Sequence, residues 1–348
     1  MLKKVREVFT NTGPKILANS KFKNINSNLF NKVNFKNFGK LNKNKFFYII
    51  RRNPTAGFFS NLTFVLNNLK ICDEMKFIPI IDMQNYPTLH NEIGPIYRSK
   101  NSWEYYFEKI NKYSLSEVYK SKNVFLSSEK FEKSMSISIT DKQISKYLKK
   151  IKIKKKIQSK AKKFIKKNFK RRQKILGVHF RGSTYKTARG HAFPLTVKLM
   201  IKQINYLINK FSYNKIFVVT EEQKYLNALK KKFKEKIIFY NSYRMGQLDS
   251  FEIYPRKNHR YLLGEEILIE CLILSRCSGL TYIRSNVISA AIAFSKSKIK
   301  KHELFLGLNS RNRFLSKYLW YLKSLLPRSL GGLKFIEVKI HGSIILKK

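Results

Sequence analysis

An α/β fold with mostly parallel strands is predicted by three observations on this sequence. Apolar runs of strand length alternate with amphipathic stretches of helix length. Several of those runs stop abruptly at polar residues able to do chemistry. The 348 residues are 43% hydrophobic and 14% aromatic, enough to build the cores of about two ordinary domains.

The first alternation spans residues 46–82. Residues 46–50 predict a strand, and 53–61 a turn leading into an amphipathic helix over 62–74. Ser60 or Asn61 can cap that helix. Residues 77–82 predict a second strand, completing a βαβ unit. Residues 103–107 predict a short packed helix. The Lys-rich stretch 142–174 carries apolar residues at helical spacing, and reads either as a connector between domains or as a solvated surface helix.

The second half repeats the alternation. Strands are predicted over 175–180, 215–220, 236–240 and 279–283, and helices over 195–211, 223–233, 265–276 and 287–295. Residues 311–348 form a separate basic and aromatic tail. Its segment 311–326 can lie on an anionic membrane surface or pack back across the domain junction.

The charge is extreme: 72 Lys and Arg against 21 Asp and Glu, a formal +51. Lys next to Asn and Ile dominates, as compositional drift would produce, but the physical consequence is the same. A strongly positive surface attracts anionic lipids, nucleic acids or phosphorylated glycans. No helix-turn-helix, zinc-finger or RNA-recognition signature accompanies that charge, which makes a nucleic-acid-binding protein the weaker reading. The three cysteines, Cys72, Cys271 and Cys277, have neither disulfide nor zinc spacing. No Asp-x-Asp occurs, which argues against a carboxylate pair holding a divalent cation on a nucleotide. The absence of a secretory apolar segment and of an 18-residue apolar window gives a cytoplasmic expectation, with the tail as a peripheral contact on the inner membrane face.

Candidate chemistry gathers where predicted strands end. His179 and Arg181 are two apart and project to the same side. Glu221 and Glu222 follow another strand, and Ser285 and Asn286 open a helix whose free N–H groups favour phosphate. In a doubly wound sheet these clusters converge on one crevice. Each also has a plainer role: a surface Arg, a solvated strand end, a simple N-cap. Glu270 lies in an apolar helix and is either paired with a base or turned to a ligand. Asp82, His90, Glu92 and His191 are candidates for a general base, and nothing in the sequence chooses among them.

Four segments occur in a telling order: Gly57-Phe-Phe-Ser-Asn61, Gly177-Val-His-Phe-Arg181, Val218-Val-Thr-Glu-Glu222, and Leu274-Ser-Arg-Cys with Arg284-Ser-Asn-Val287. The set resembles the α1,6-fucosyltransferase and protein O-fucosyltransferase superfamily, including bacterial nodulation-type enzymes, over about 46–300. The resemblance implies a GT-B glycosyltransferase, with two Rossmann-like domains facing each other across a cleft. It implies inverting transfer without a metal or other cofactor, from a GDP-sugar, usually GDP-fucose, to a glycan acceptor such as one of the cell envelope. Arg181 matches the arginine that contacts the donor pyrophosphate, and His179 a donor contact near the base. Glu221 and Glu222 match an acidic pair, Ser285 and Asn286 a small-polar pair near the phosphates, and Glu270 an acidic donor contact. Gly57 and Asn61 match the first segment.

The sequence departs from the pattern after Arg181. Gly182 stands where a second arginine is common, and of Thr184, Tyr185 and Lys186 only Lys186 matches what usually follows. Residues 187–191 hold no counterpart of a glutamate base. A catalytically degenerate relative is the alternative that these departures raise. The expected organisation is an Asn-rich arm over 1–45, an acceptor-side domain over 46–150, a connector over 151–174, a nucleotide-sugar domain over 175–310 and the tail over 311–348.

Overall fold

A computed structural model describes residues 34–52, 56–128, 141–244, 250–251, 253–333, 336–340 and 343–347. The expected basic arm therefore lies outside the described residues as far as residue 33. The chain divides into two compact units, Met1–Gln158 with Phe251–Leu268, and Ser159–Ser250 with Ile269–Lys348.

The first unit holds a four-stranded sheet: β1 (Asn34–Lys36), β2 (Leu41–Ile50), β3 (Ile78–Ile81) and β4 (Ser121–Leu126), in the order β1-β4-β2-β3. β2 pairs in parallel with both β3 and β4, while β1 runs antiparallel to β4. A central strand flanked on both sides reads as a continuous apolar run, and Phe47, Tyr48 and Ile49 are fully buried. Helix α1 (Phe58–Met75) crosses from β2 to β3, as the βαβ pattern predicts. It starts earlier than expected, and its cap is Gly57, which contributes no side-chain bond. Ser60 and Asn61 sit inside the first turn instead. The Arg52 guanidinium donates to the Ser60 carbonyl and hydroxyl, and Asn61 donates to the Ala56 carbonyl. The apolar Phe58 and Phe59 draw the start forward: Phe59 is buried, and Phe58 packs edge-on against His90 and Tyr106. Two short helices, α2 (Trp103–Tyr106) and α3 (Leu115–Val118), precede β4.

The Lys-rich stretch is not one helix. It divides into α4 (Asp141–Leu148) and α5 (Lys155–Asn168). Between them the chain is extended and pairs with residues 106–108: Glu108 donates to the Lys152 carbonyl and Lys154 to that of Tyr106. Ile151 and Ile153 are buried by this pairing, so a local period of two overrides the helical period around it.

The second unit is built on a larger sheet. β5 (Ile175–His179), β6 (Lys215–Val219), β7 (Ile237–Phe239), β8 (Gly279–Ile283) and β9 (Lys300–Phe305) are mutually parallel in the order β9-β8-β5-β6-β7. Helix α6 (Ser183–Thr187) follows β5, in the interval between the predicted strand 175–180 and the predicted helix 195–211. Helices α7 (Val197–Phe211), α8 (Gln223–Phe233), α9 (His259–Leu274) and α10 (Asn286–Phe294) come later in the chain. One core beneath this sheet joins Leu176 and Val178 of β5, Ile204 and Leu207 of α7, and Leu226 and Leu229 of α8.

Two expectations about domains are corrected. The span 175–310 is not one unit, because Phe251–Leu268 belongs with the first. That segment is fastened there by polar contacts invisible to hydropathy. Glu92 accepts from the Tyr261 N–H at 2.8 Å and from the Tyr254 hydroxyl, and the Tyr106 hydroxyl donates to the Tyr261 carbonyl. Nor is the tail separate. Helix α11 (Leu315–Leu325) packs on the second unit: Trp320 joins Phe193 and Leu333 in an apolar cluster and donates its indole N–H to the Pro194 carbonyl at 2.8 Å. Strands β10 (Ile336–Ile340) and β11 (Ser343–Lys347) then extend the sheet antiparallel from β9.

Removing the Trp320 ring leaves a hole in that cluster and an unpaired carbonyl. Trp320→Ala is expected to lower stability by about 3 kcal/mol, measured as a shift in urea-unfolding free energy.

Candidate active site

Strand order reverses between β5 and β8: the chain moves from β5 outward to β6 and β7, then returns to β8 on the other side. Such a reversal opens a crevice beyond the carboxyl ends of the two strands, because the following connections leave to opposite faces. His179 ends β5, and Ser285 follows β8. The Ser285 hydroxyl lies 3.5 Å from His179 Nδ1. Two residues 106 apart in sequence are thus brought together at the reversal.

Ser285 also caps α10, its hydroxyl accepting from the Ile288 N–H at 3.4 Å. Asn286 is the first, exposed residue of that helix. The plain capping role is therefore real for Ser285, and it leaves the first N–H groups of α10 at the end of the crevice. His179 is buried, and burial with the nearby Arg181 charge lowers its pKa to about 3. It is a neutral imidazole at neutral pH, suited to hydrogen bonding rather than to holding a proton.

Arg181 sits just past the strand end with its guanidinium over the Tyr185 ring, 4.2 Å from the centroid. Its Nη1 lies 3.6 Å from Glu221 Oε2. The other oxygen of Glu221 accepts from the Gly182 N–H at 2.9 Å. Glu221 thus holds both the cation and the backbone of the loop carrying it. Arg181 is partly exposed, with about a quarter of its side chain open to solvent.

Glu222 is buried behind that loop, and Lys186 Nζ lies 3.7 Å from its Oε1. Lys186 also stacks over the Tyr225 and Trp320 rings. Burial is the larger influence on its pKa, which falls below the ordinary lysine value even though Glu222 opposes the shift. Gly182 explains one departure from the resemblance: a Cβ there would collide with the Glu222 carboxylate. The position takes no side chain while Glu222 points inward.

Glu270 is paired with a base. Arg244 Nη2 lies 3.1 Å from its Oε1, which also accepts from the Ser242 hydroxyl at 2.7 Å. Arg244 donates further to the carbonyls of Ser242 and Tyr240. His191 packs against Tyr185, and desolvation with the Arg181 charge lowers its pKa.

The remaining candidates belong to the first unit. Asp82 is fully buried, and its oxygens accept from the N–H groups of Gln84 and Asn85, the Asn85 amide and the Tyr119 hydroxyl. It closes a turn. His90 Nδ1 lies 3.2 Å from the Arg260 carbonyl, and burial lowers its pKa to about 4. Asn61 and His90 line one small cavity with Phe58 and Trp103. His90 and Glu92 both bind the segment Phe251–Leu268. Gly57 has open space around it.

Sequence reasoning missed Tyr185, Arg244 and Trp320. Tyr185 had a signal: an aromatic four residues after an arginine on a short turn is placed to stack with it. Arg244 and Trp320 had none, because each meets its partner across a long sequence separation.

Among the described residues, no group of three or more His, Cys, Asp or Glu side chains converges as a metal ion requires. No described helix is long and apolar enough to cross a membrane.

The second unit is thus an α/β domain whose parallel strands reverse their order between β5 and β8, with His179, Arg181 and Ser285 gathered at the reversal. No protein-family profile matches the chain, and no curated protein matches its sequence. Among solved structures it is similar to the NodZ α1,6-fucosyltransferase co-crystallised with GDP, with 14% identity, 75% of this chain and 95% of that chain covered, and a TM-score of 0.49. The Bradyrhizobium enzyme in selenomethionine form gives 13% identity, the same coverage and the same score. FUT1 of Arabidopsis thaliana in complex with GDP gives 7% identity over 76% of this chain and 72% of that one, at 0.44.

The folded-state pKa of His179 lies below the unfolded value of 6.5. As pH falls below about 6.5 the unfolded chain takes up a proton that the folded chain refuses. Stability is therefore expected to fall by about 2 kcal/mol between pH 7 and pH 5 from this group alone. In His179→Gln the urea-unfolding free energy should lose about that much less over the same interval. Gly182→Ala should displace Glu222 from Lys186 and cost about 2 kcal/mol, seen as a lower unfolding midpoint.

Proposed function

We propose that the protein is a glycosyltransferase that takes its sugar from a nucleoside diphosphate donor held by the second unit. The observation that carries this reading is the meeting of His179 and Ser285 at the strand reversal, beside the Arg181 charge. A permanent cation and a row of free helix N–H groups at one crevice form a receptor for a pyrophosphate. The ordered segments of the sequence that resemble the fucosyltransferase superfamily supply the finer reading: GDP-fucose as donor, a glycan of the cell envelope as acceptor, and inversion at the anomeric carbon.

In this reading the acceptor oxygen forms a bond to the anomeric carbon as the bond from that carbon to the β-phosphate oxygen breaks. The electron pair leaves with GDP, and the acceptor proton passes to solvent. Charge grows on the departing phosphate, and no metal is needed if Arg181 and the N–H groups of α10 meet it. Glu221 acts as a positioning residue, aiming the guanidinium and fixing the loop. His179 offers a neutral hydrogen bond to the donor. Lys186, Glu222 and Glu270 hold the walls.

A base for an inverting displacement must stand on the face opposite the leaving group. His191 stands near Arg181, on the leaving-group side. Asp82 and Glu92 use their carboxylates, and His90 its Nδ1, to hold the first unit together. The reading therefore places the catalytic weight on leaving-group stabilisation rather than on a general base. The protein works at the cytoplasmic face of the membrane in this proposal.

GDP should raise the thermal midpoint of the protein more than UDP or ADP does, without added metal. Arg181→Ala should lower sugar transfer from the donor by about 10²–10³-fold while leaving the unfolding midpoint near that of the parent. Indifference of the midpoint to every nucleotide would overturn the proposal.

A further inference from the structure

Helix α11 has two apolar faces, and the second unit uses only one. Ser316 and Trp320 are buried, with Trp320 anchoring the helix on Pro194. The opposite side carries Phe314, Tyr318, Tyr321, Leu322 and Leu325, spaced four, seven, eight and eleven residues along from the first. That spacing places them on one stripe. Phe314 is 73% exposed, Tyr318 64%, Leu322 58% and Leu325 82%. Leu315 beside them is also exposed. Isolated exposed apolar side chains need no explanation, but a continuous stripe of six on one helix marks a contact surface.

The charges around the stripe say what it contacts. No acidic residue occurs between Glu303 and Glu337, whereas Arg311, Arg313, Lys317, Lys323, Arg328 and Lys334 all fall in that interval. Arg311, Arg313 and Lys317 are exposed beside the stripe. Aromatic and leucine side chains on one line, bordered by cations with no carboxylate, match the boundary between headgroups and acyl chains of an anionic bilayer. A groove on a folded protein partner would instead leave these cations to be paired one by one, and the stripe is convex rather than a socket.

We infer that α11 is an interfacial helix that lies on an anionic lipid bilayer, with Phe314, Tyr318, Leu322 and Leu325 entering the acyl boundary and Arg311, Arg313 and Lys317 meeting the headgroups. Trp320 fixes the helix to the domain, so its outer face is presented ready-made. No ordering of the chain is required on contact.

Because the whole surface is basic, weak attraction to any anionic vesicle is expected. The experiment must separate that attraction from insertion. The full chain is floated with vesicles of phosphatidylcholine alone or with phosphatidylglycerol added, at low and at high salt, without nucleotide or sugar, so that the result stands apart from the transferase reading. The parent should float with the phosphatidylglycerol vesicles and remain with them at high salt. The variant Tyr318→Ser, Leu322→Ser, Leu325→Ser keeps every charge, and should be retained about tenfold less at high salt. The single change Leu325→Asp, at the most exposed position of the stripe, should act in the same direction and controls for any loss of folding in the triple variant. Equal retention of parent and variants would overturn the inference. So would release of the parent by salt, or binding of the parent to nucleic acid or acidic protein but not to vesicles.

Discussion

Glu221 and Glu222 hold the rest of the candidate site in place. In a chain with 72 basic and 21 acidic residues, two consecutive carboxylates stand at the end of β6. One faces the loop after β5, taking the Gly182 N–H and standing 3.6 Å from Arg181. The other turns into the interior and meets Lys186. Without the first, the guanidinium would lose its carboxylate partner at the strand end, and the Gly182 N–H its acceptor. Without the second, Lys186 would be a buried ammonium facing two aromatic rings, which costs far more than a surface lysine does.

The distribution of charge sharpens this point. Lys186 is the one buried lysine among the described residues, while Asp82, Glu92, Glu222, Glu265, Glu266 and Glu270 are all buried. Among the described residues the lysine excess therefore lies outside the cores, where composition can drift at little cost. The carboxylates do internal work in both units. Glu92 takes the Tyr261 N–H, Glu266 takes a two-pronged bond from Arg256 at 2.6 and 2.9 Å, and Glu270 takes Arg244. The few carboxylates that are buried are a better guide to structure here than the abundant lysines.

That distribution also explains what the sequence showed and hid. Strands 175–180, 215–220 and 279–283 and helix 223–233 were legible because their apolar spacing alone decides their burial. The early start of α9 was not. Residues 259–266 hold His259, Arg260, Glu265 and Glu266, which read as surface, yet all four are buried. Arg256 bonds both His259 and Glu266 from just before the helix, while the Glu92 charge that favours the Arg260 cation comes from far away in the sequence, beyond any local window. The break between α4 and α5 was written in the alternation of Ile151 and Ile153, but two residues of period two are easily lost among lysines. At the site, strand ends exposed the residue types, whereas the meeting of His179 with Ser285 needed the order of strands. Gly182 was legible only as a departure until the inward turn of Glu222 gave the steric reason.

One chain of contacts links the tail to the site. Trp320 of α11 packs on Phe193 and covers Lys186; Lys186 stands beside Glu222; the Glu222 carboxylate occupies the space that Gly182 leaves; and Gly182 follows Arg181 in the backbone. Each link is a packed or charge-paired contact between groups with little room to move. The buried side of α11 is therefore in contact with the same side chains that pack around the Arg181 loop. An engineered change at Trp320 or Lys186 would reach Arg181 through this path. The exposed residues of α11, Phe314 and Leu325 above all, stand clear of it. The separation follows from the helix itself, whose buried and exposed stripes are carried on opposite sides of one backbone.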